Sequence, residues 1–421
     1  MQRRAIDSET GGAAMAFSDP GGGRGVLVSG AGIAGPALAY WLLRAGLKPT
    51  LVESAPAPRT GGYMIDFWGP GFQVAERMGL AERVRQVGVR IAELRLVDAQ
   101  GRARVRLPLS AFTRQLGDRY VSLLRSDLAA QLLALVDAGP GGRVDIRFDD
   151  EIVGLAEASD GVDVTFRRGQ PQRFELVIGA DGAHSKVRRL AFGQAGAIVP
   201  LGRQVAAFTS RDYPHHDGLA YVSRTIAGRQ AVRCALPDGR TTFFLILTDE
   251  AAAGLLAAPE RPREALADAF AGIGWEARDI AHALAKADDL FVDSVAQVRA
   301  PAWSSGRIAL VGDAAWAPSL LAGEGSSFAI AGAYLLAGEL ARHPHDHRAA
   351  FADYEKRLRG YIAGKQRAAL RMGSWFAPKT AAGVIVRNQL TRLAALPGLS
   401  GLLVGAIIED DLELPAYPWG G

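Results

Sequence analysis

Apolar residues fall in short blocks along this chain, and the spacing inside each block sets the element it predicts. Residues 25–29, Gly-Val-Leu-Val-Ser, read as a buried strand. Gly30-Ala-Gly32-Ile-Ala-Gly35 follows, and then an apolar stretch over 36–45 that predicts a helix ended by Gly46. A second strand is expected over 48–52, closing at Glu53. The same strand–turn–helix rhythm returns at 176–189, with the helix starting about His184. It returns again from Gly306, with a long apolar helix over 326–340. Between these two, residues 204–210, 219–226, 230–236 and 241–248 read as strands parted by Gly218, Gly228 and Pro237-Asp238-Gly239. That meander predicts an antiparallel sheet. Helices over 262–271 and 277–285, a strand near 290–298, a long helix over 346–375 and a capping tail complete the pattern.

Composition narrows the function classes. The 421 residues are 49% hydrophobic and 22% charged, ordinary for a globular protein with room for two or three domains. One cysteine, Cys234, excludes a disulfide framework and any multi-cysteine metal cluster. In its strand, Cys234 reads as a small core residue rather than a nucleophile. Lysine and arginine total 48, of which only Lys48, Lys186, Lys286, Lys356, Lys365 and Lys379 are lysines. This skew, with 50 glycines, looks like a GC-rich coding bias. The net charge of +4 is spread without a basic run, so no nucleic-acid partner is expected. Residues 1–24 are polar and Gly-rich with no apolar signal segment, and Met15 is a second candidate start. The late apolar stretch 393–408 is broken by Pro397, Gly398, Gly401 and Gly405, so no stable membrane insertion is expected. A cytoplasmic protein is the expectation.

The first block carries phosphate chemistry. Gly30 permits a tight turn, Gly32 lets backbone approach a pyrophosphate, and Gly35 allows close helix–strand packing. The helix N-terminus offers free N–H groups to phosphates, and Glu53 can accept from ribose hydroxyls. That motif alone does not separate NAD from FAD. Two later acids stand at strand ends in the same way: Asp181-Gly182, before His184-Ser185, and Gly312-Asp313, before Pro318, Gly323 and Gly325.

Taken in order at 30–35, 181–182 and 312–313, these motifs resemble the class A flavin-dependent monooxygenases with the p-hydroxybenzoate hydroxylase fold. The resemblance covers residues 25–375 and includes Gly61-Gly62 and Leu124-Arg125-Ser-Asp127. It implies an α/β fold: a Rossmann-type FAD-binding domain with an inserted antiparallel β-sheet substrate domain and a long C-terminal bridging helix. The expected division is a tail at 1–24, the FAD-binding domain at 25–200 and its return at 301–342. The substrate sheet takes 201–300, and the bridging helix and cap take 343–421.

The resemblance also implies residue roles. Gly30, Gly32, Gly35 and Glu53 would hold the ADP half of FAD. Arg125 would sit near the flavin or its phosphates, where a surface ion pair at a helix start is the plain alternative. Asp181 would position FAD and serve NADPH (or NADH) use. Gly312 and Asp313 would meet the ribityl–pyrophosphate region, and Gly323 and Gly325 the isoalloxazine. In place of the family's Pro-x-x-Gly-Gln-Gly, the chain reads Pro318-Ser-Leu-Leu-Ala-Gly323-Glu324-Gly325, putting a carboxylate where an amide is usual.

For the substrate, Phe208, Tyr221, Arg233, Phe243 and Phe244 are candidates on the sheet, although strand alternation turns only half of them inward. Phe67 and Trp68, in the aromatic run Tyr63-Met-Ile-Asp66-Phe67-Trp68, either contact substrate or form a buried strand. The implied activity is NAD(P)H-driven hydroxylation of an aromatic or polycyclic, polyketide-like substrate through a flavin C4a-hydroperoxide. The compact layout is similar to tetracycline-inactivating and polyketide-tailoring monooxygenases, acting as monomer or homodimer. An isoprenoid-reductase type of flavoenzyme, a hydroxylase of small phenols and a ligand-sequestering flavoprotein are the alternatives. No side chain stands out as catalytic acid or base. A substrate carboxylate would call for an arginine, and so many arginines give no discrimination. His343-Pro-His345-Asp346-His347 and His215-His216 read as solvated loops, and no metal site is expected. A serine hydrolase is excluded because no Gly-x-Ser-x-Gly stretch occurs.

Overall fold

The computed structural model describes residues 25–137, 143–193, 197–373, 375–396 and 412–419. The expected tail at 1–24 and residues 397–408 of the late apolar stretch lie outside them. At the centre of a six-stranded sheet lies Gly25–Ser29, flanked by Leu176–Gly179 and Lys48–Glu53. Ile308–Leu310 and Asp145–Phe148 extend the sheet in parallel, and Ser304–Ser305 adds an antiparallel edge. The central strands are covered on both faces, which is why they read as unbroken apolar runs rather than alternating ones. Helices Ala34–Arg44 and Gly325–Arg342 pack together on this layer, and the main core lies there.

A second sheet has seven strands in the order Phe291–Arg299, Ala197–Ser210, Thr241–Thr248, Arg229–Ala235, Ala220–Ile226, Glu93–Val97, Ala103–Pro108. Five of these strands belong to the expected meander region, although Ala197–Ser210 begins earlier than expected and bulges between Pro200 and Gln204. The last two come from residues before the meander, joined by a parallel pairing of Glu93–Val97 with Ala220–Ile226. Leu94 pairs with Tyr221, 127 positions further along the chain, and such a pairing leaves no local sequence signal.

The two faces of this sheet have different company. Phe208, Phe243, Arg233 and Val222 lie opposite one another in register and share the outer face. Helices Ala253–Ala257, Pro262–Phe270 and Ala277–Lys286 cover that face with Leu255, Leu266, Phe270 and Ile280. The inner face carries Val205, Phe244 and Ile246 and meets Leu320, Leu321 and Ala377. Beneath it runs a two-stranded ribbon, Met64–Phe67 with Val121–Leu124.

The 27-residue helix His347–Gly373 ties the two sheets together. Tyr354 donates to the Leu310 carbonyl (3.1 Å) in the first sheet, and Gln366 Nε2 to the Val298 carbonyl (2.8 Å) in the second. A further helix, Ala381–Ala394, lies where only a tail was expected. Residues 412–419 strap back across the first layer, with Trp419 against Trp41 at 4.6 Å between ring centroids. Among the described residues, no helix is long and apolar enough to cross a membrane.

Candidate active site

The glycines of the first turn differ in what requires them. Gly30 has φ +106°, and a Cβ there would stand 2.6 Å from the Ala180 carbonyl oxygen. A Cβ on Gly35 would fall 1.9 Å from the Gly30 oxygen. Those two glycines are demanded by packing. A Cβ on Gly32 would meet only the Arg125 guanidinium, at 3.6 Å, so this position faces open space with a cation on its far side. That opening suits a pyrophosphate. Glu53 accepts from the Ala31 N–H (2.8 Å) and the Ala55 N–H (2.9 Å), which fixes its carboxylate beside the same turn.

Asp313 begins a short turn of helix after Gly312, whose φ is +64°. Burial raises the Asp313 carboxyl above its usual range, and the nearby Arg125 opposes that rise. A Cβ on Gly325 would stand 3.7 Å from Asp313 Oδ1, and Gly323 takes φ +75° with open space around it. Arg125 is thus no surface salt bridge: its amide donates to the Tyr63 carbonyl (3.1 Å), and its charge acts on both Tyr63 and Asp313.

Asp181 caps the helix Lys186–Phe192, with Oδ2 accepting from the Lys186 (2.7 Å) and Val187 (3.1 Å) amides. Its other oxygen, Oδ1, is buried without a partner, which leaves an acceptor unused beside the turn. Glu324, the departure from the family pattern, pairs with Lys365 Nζ at 3.1 Å on the bridging helix. That pairing neutralises the unusual carboxylate.

Tyr63 stands between the sheets. Its ring lies 5.9 Å from Phe244 and 5.7 Å from Phe291, making an aromatic wall on the inner face beside Arg125 and Asp313. Further along the ribbon, Asp66 accepts hydrogen bonds from Tyr120 (3.0 Å), Tyr221 (3.2 Å) and Ser122. Burial raises the Asp66 carboxyl, and the three hydroxyls only partly offset it. Tyr120 and Ser122 are shut from solvent, whereas Asp66 and Tyr221 keep accessible surface deep inside the protein. The cluster therefore has one open side.

The sequence-derived substrate candidates divide along these lines. Tyr221 and Phe244 reach the inner face. Phe208 and Phe243 stack at 4.6 Å in the outer core, away from the site. Arg233 is likewise outside, bound to Glu276 (2.6 Å) and Asp217, because its register places it beside Phe243. Phe67 packs on Phe72 at 5.5 Å in the main core, and Trp68 is buried with its carbonyl bonded to Ser327 Oγ. Register turns Phe208, Phe243 and Arg233 to the outer face, alternation sets Phe67 on the opposite side from Asp66, and Trp68 lies past the strand end at the cap of helix Gly69–Arg77. Phe291 and the hydroxyl cluster around Asp66 were missed, since their partners lie on distant strands. His343 meets Glu339 and Asp353 with ligand atoms within 4.8 Å, yet Glu339 is already bound by Arg357 (2.6 Å) and Arg342 (3.4 Å). Cations so close oppose a metal ion there.

Comparison with known proteins agrees with this geometry. A family model described as an FAD binding domain matches residues 24–355. A flavin-dependent monooxygenase of Legionella longbeachae is 31% identical over 398 residues, covering 93% of this chain and 98% of its own. An uncharacterised protein of Mycobacterium tuberculosis is 37% identical over 350 residues, covering 81% and 91%. Among solved structures, the tetracycline destructase Tet(55) superposes with a TM-score of 0.77 at 30% identity, covering 94% of this chain and 99% of its own. With a family model matched over most of the chain and a flavin-dependent monooxygenase 31% identical over 93% of it, the chain belongs to the class A flavin-dependent monooxygenases.

Proposed function

We propose that this monooxygenase hydroxylates an electron-rich aromatic or polycyclic small molecule, with NADPH or NADH as reductant and O2 as co-substrate. The observation that carries the reading is the Tyr63–Phe244–Phe291 wall, set on the inner sheet face beside Arg125 and Asp313. Flat rings stack on such a wall, and the polar Asp66–Tyr221 end can bind a ring hydroxyl. Likeness to a tetracycline destructase supports a polycyclic substrate.

FAD, when bound, supplies the redox and oxygen-activating chemistry. In the proposed arrangement the residues of this chain bind, orient and exclude water. The amides around Gly30–Gly35 and the Arg125 guanidinium hold the pyrophosphate. Glu53 accepts from the ribose, Asp181 and Asp313 orient the cofactor, and Gly312, Gly323 and Gly325 let backbone approach it. The aromatic wall keeps water from the reacting face and sets the substrate carbon within reach. Asp66 holds a proton-bearing network on the Tyr221 hydroxyl. A cytoplasmic monomer or homodimer fits the reading.

The test uses yellow holoenzyme reduced anaerobically with NADPH or NADH and then mixed rapidly with oxygen. A transient absorbance species distinct from oxidised and reduced flavin, with a one-oxygen mass gain in a polycyclic phenol, is the expected result. Direct reoxidation without the transient, whatever aromatic compound is added, would favour the reductase alternative.

A further inference from the structure

Helix Ala381–Ala394 is amphipathic the wrong way round. Ile385 (61% exposed), Val386, Leu390 and Leu393 face outward, and the face turned to the protein carries Val384, Arg387, Asn388 and Thr391. A helix that only fills a core places its apolar residues inside. This helix packs against strands Ala103–Pro108 and Ala220–Ile226 of the roof sheet. Register fixes the side of contact: Val105, Leu96 and Ser223 lie in one row, on the same face as Tyr221 and Thr225. Gln230, paired with Thr225, donates to Ser223 Oγ and accepts from the Ala377 amide just before the helix. The polar helix face thus meets the inner face of the sheet, the one that carries Phe244.

Arg387 stands out among the buried arginines. Arg188 donates to two carbonyls and Arg233 to two carboxylates. Arg387 is 5% exposed, its Nε is buried without a partner, and among the described residues no acid lies beside its guanidinium. Burial alone pulls its guanidinium down to about 10. Nearby polar atoms are also orphaned, since Thr225 Oγ1 and Asn388 Oδ1 are buried without partners. A buried cation with nothing to neutralise it is costly, and a protein retains one where a ligand supplies the missing charge.

We infer that Arg387 is the anion anchor of the substrate cavity and binds a carboxylate on the aromatic substrate. The guanidinium forks onto the two oxygens, with Thr225 and Asn388 available to the neighbouring polar groups. Tyr221, whose hydroxyl bonds Asp66 of the ribbon beneath, lies on the same sheet face as Ser223 and Thr225, so the substrate is an acid that also carries a hydroxyl for that pair. This assignment rests on the proposed monooxygenase reading and narrows its substrate class.

The experiment titrates holoenzyme with anthraquinone-2-carboxylate and with the neutral anthraquinone-2-carboxamide, following the flavin absorbance. Wild type is expected to bind the carboxylate roughly tenfold or more tighter than the amide, the size of one charge-assisted contact. Arg387→Met should erase that preference, and Arg387→Lys should keep part of it. FAD content measured on each variant separates loss of substrate binding from loss of cofactor. The melting temperature of ligand-free Arg387→Met holoenzyme should hold or rise, because an uncompensated charge has been removed. Equal binding of acid and amide by wild type, or binding of neither, overturns the inference. So does an Arg387→Met variant that melts lower while keeping the wild-type preference, which would mark a structural residue. The monooxygenase reading fails on a different signal, the missing transient on reoxidation.

Discussion

Arg188 Nη1 donates to the carbonyl of Ala314 at 2.8 Å, joining the turn after Asp181 to the turn after Asp313 across 126 residues. Its Nη2 holds the Ala183 carbonyl at 2.5 Å, and the side chain is fully buried. One guanidinium therefore sets the spacing of the two acidic turns. Arg188→Met should strand two buried carbonyls and cost about 2–4 kcal/mol of stability. Denaturant unfolding of the apoprotein measures this, and FAD affinity should fall in parallel.

The first-turn glycines should separate by role. Gly35→Ala forces a Cβ to within 1.9 Å of a backbone oxygen and should lower stability by about 4 kcal/mol or more, with loss of the yellow colour. Gly32→Ala meets only the end of a flexible side chain. Its apoprotein should melt within about 0.5 kcal/mol of wild type. Its FAD dissociation constant, read by flavin fluorescence on reconstitution, should nonetheless rise roughly tenfold as backbone and phosphate are held apart.

Neighbouring phenylalanines on the roof sheet should behave in opposite ways. Phe243→Ala empties the outer core and should cost about 3–5 kcal/mol, with KM for substrate little changed in protein that remains folded. Phe244→Ala opens the cavity wall and should cost about 1 kcal/mol. Its effect should appear as a raised KM and as NADPH oxidation uncoupled from hydroxylation. Thermal unfolding and product-to-NADPH ratios distinguish the two.

Burial raises the Asp66 carboxyl, so the folded state holds that proton more tightly than the unfolded chain. Stability from this group is therefore present in full below the unfolded value near 3.8, is lost as pH rises through the raised folded value, and stays lost above it. Asp66→Asn removes the titration. The melting-temperature gap between variant and wild type should widen in the variant's favour from pH 4 upward and then level off. A gap constant across that range would show that Asp66 does not titrate with folding.

Replacing Glu324 by Gln restores the family's amide and breaks the pair with Lys365. Because both groups are only partly exposed, a cost of about 1 kcal/mol is expected. FAD content should be unchanged, and differential scanning of the holoenzyme checks both points.

Local chemistry made much of this protein legible from its sequence. Gly30, Gly35 and Gly312 are where the chain turns with positive φ or packs too closely for a side chain, and such needs are written in neighbouring residues. The strands and helices of the meander region follow from alternation and breaks, and the long helix expected at 346–375 spans 347–373. Tertiary structure decided the rest, because the deciding partners are far apart in the chain. Only register told Phe243 from Phe244, since one residue of slip exchanges the faces of a strand. The strands at 93–108 joined the roof sheet through a long-range parallel pairing, and the carboxylate of Asp66 gained its hydroxyls from Tyr120, Ser122 and Tyr221. Among dozens of arginines, burial with no acid beside it among the described residues singled out Arg387. No composition or spacing carries that property, because it is defined by which charges are missing from the surrounding space.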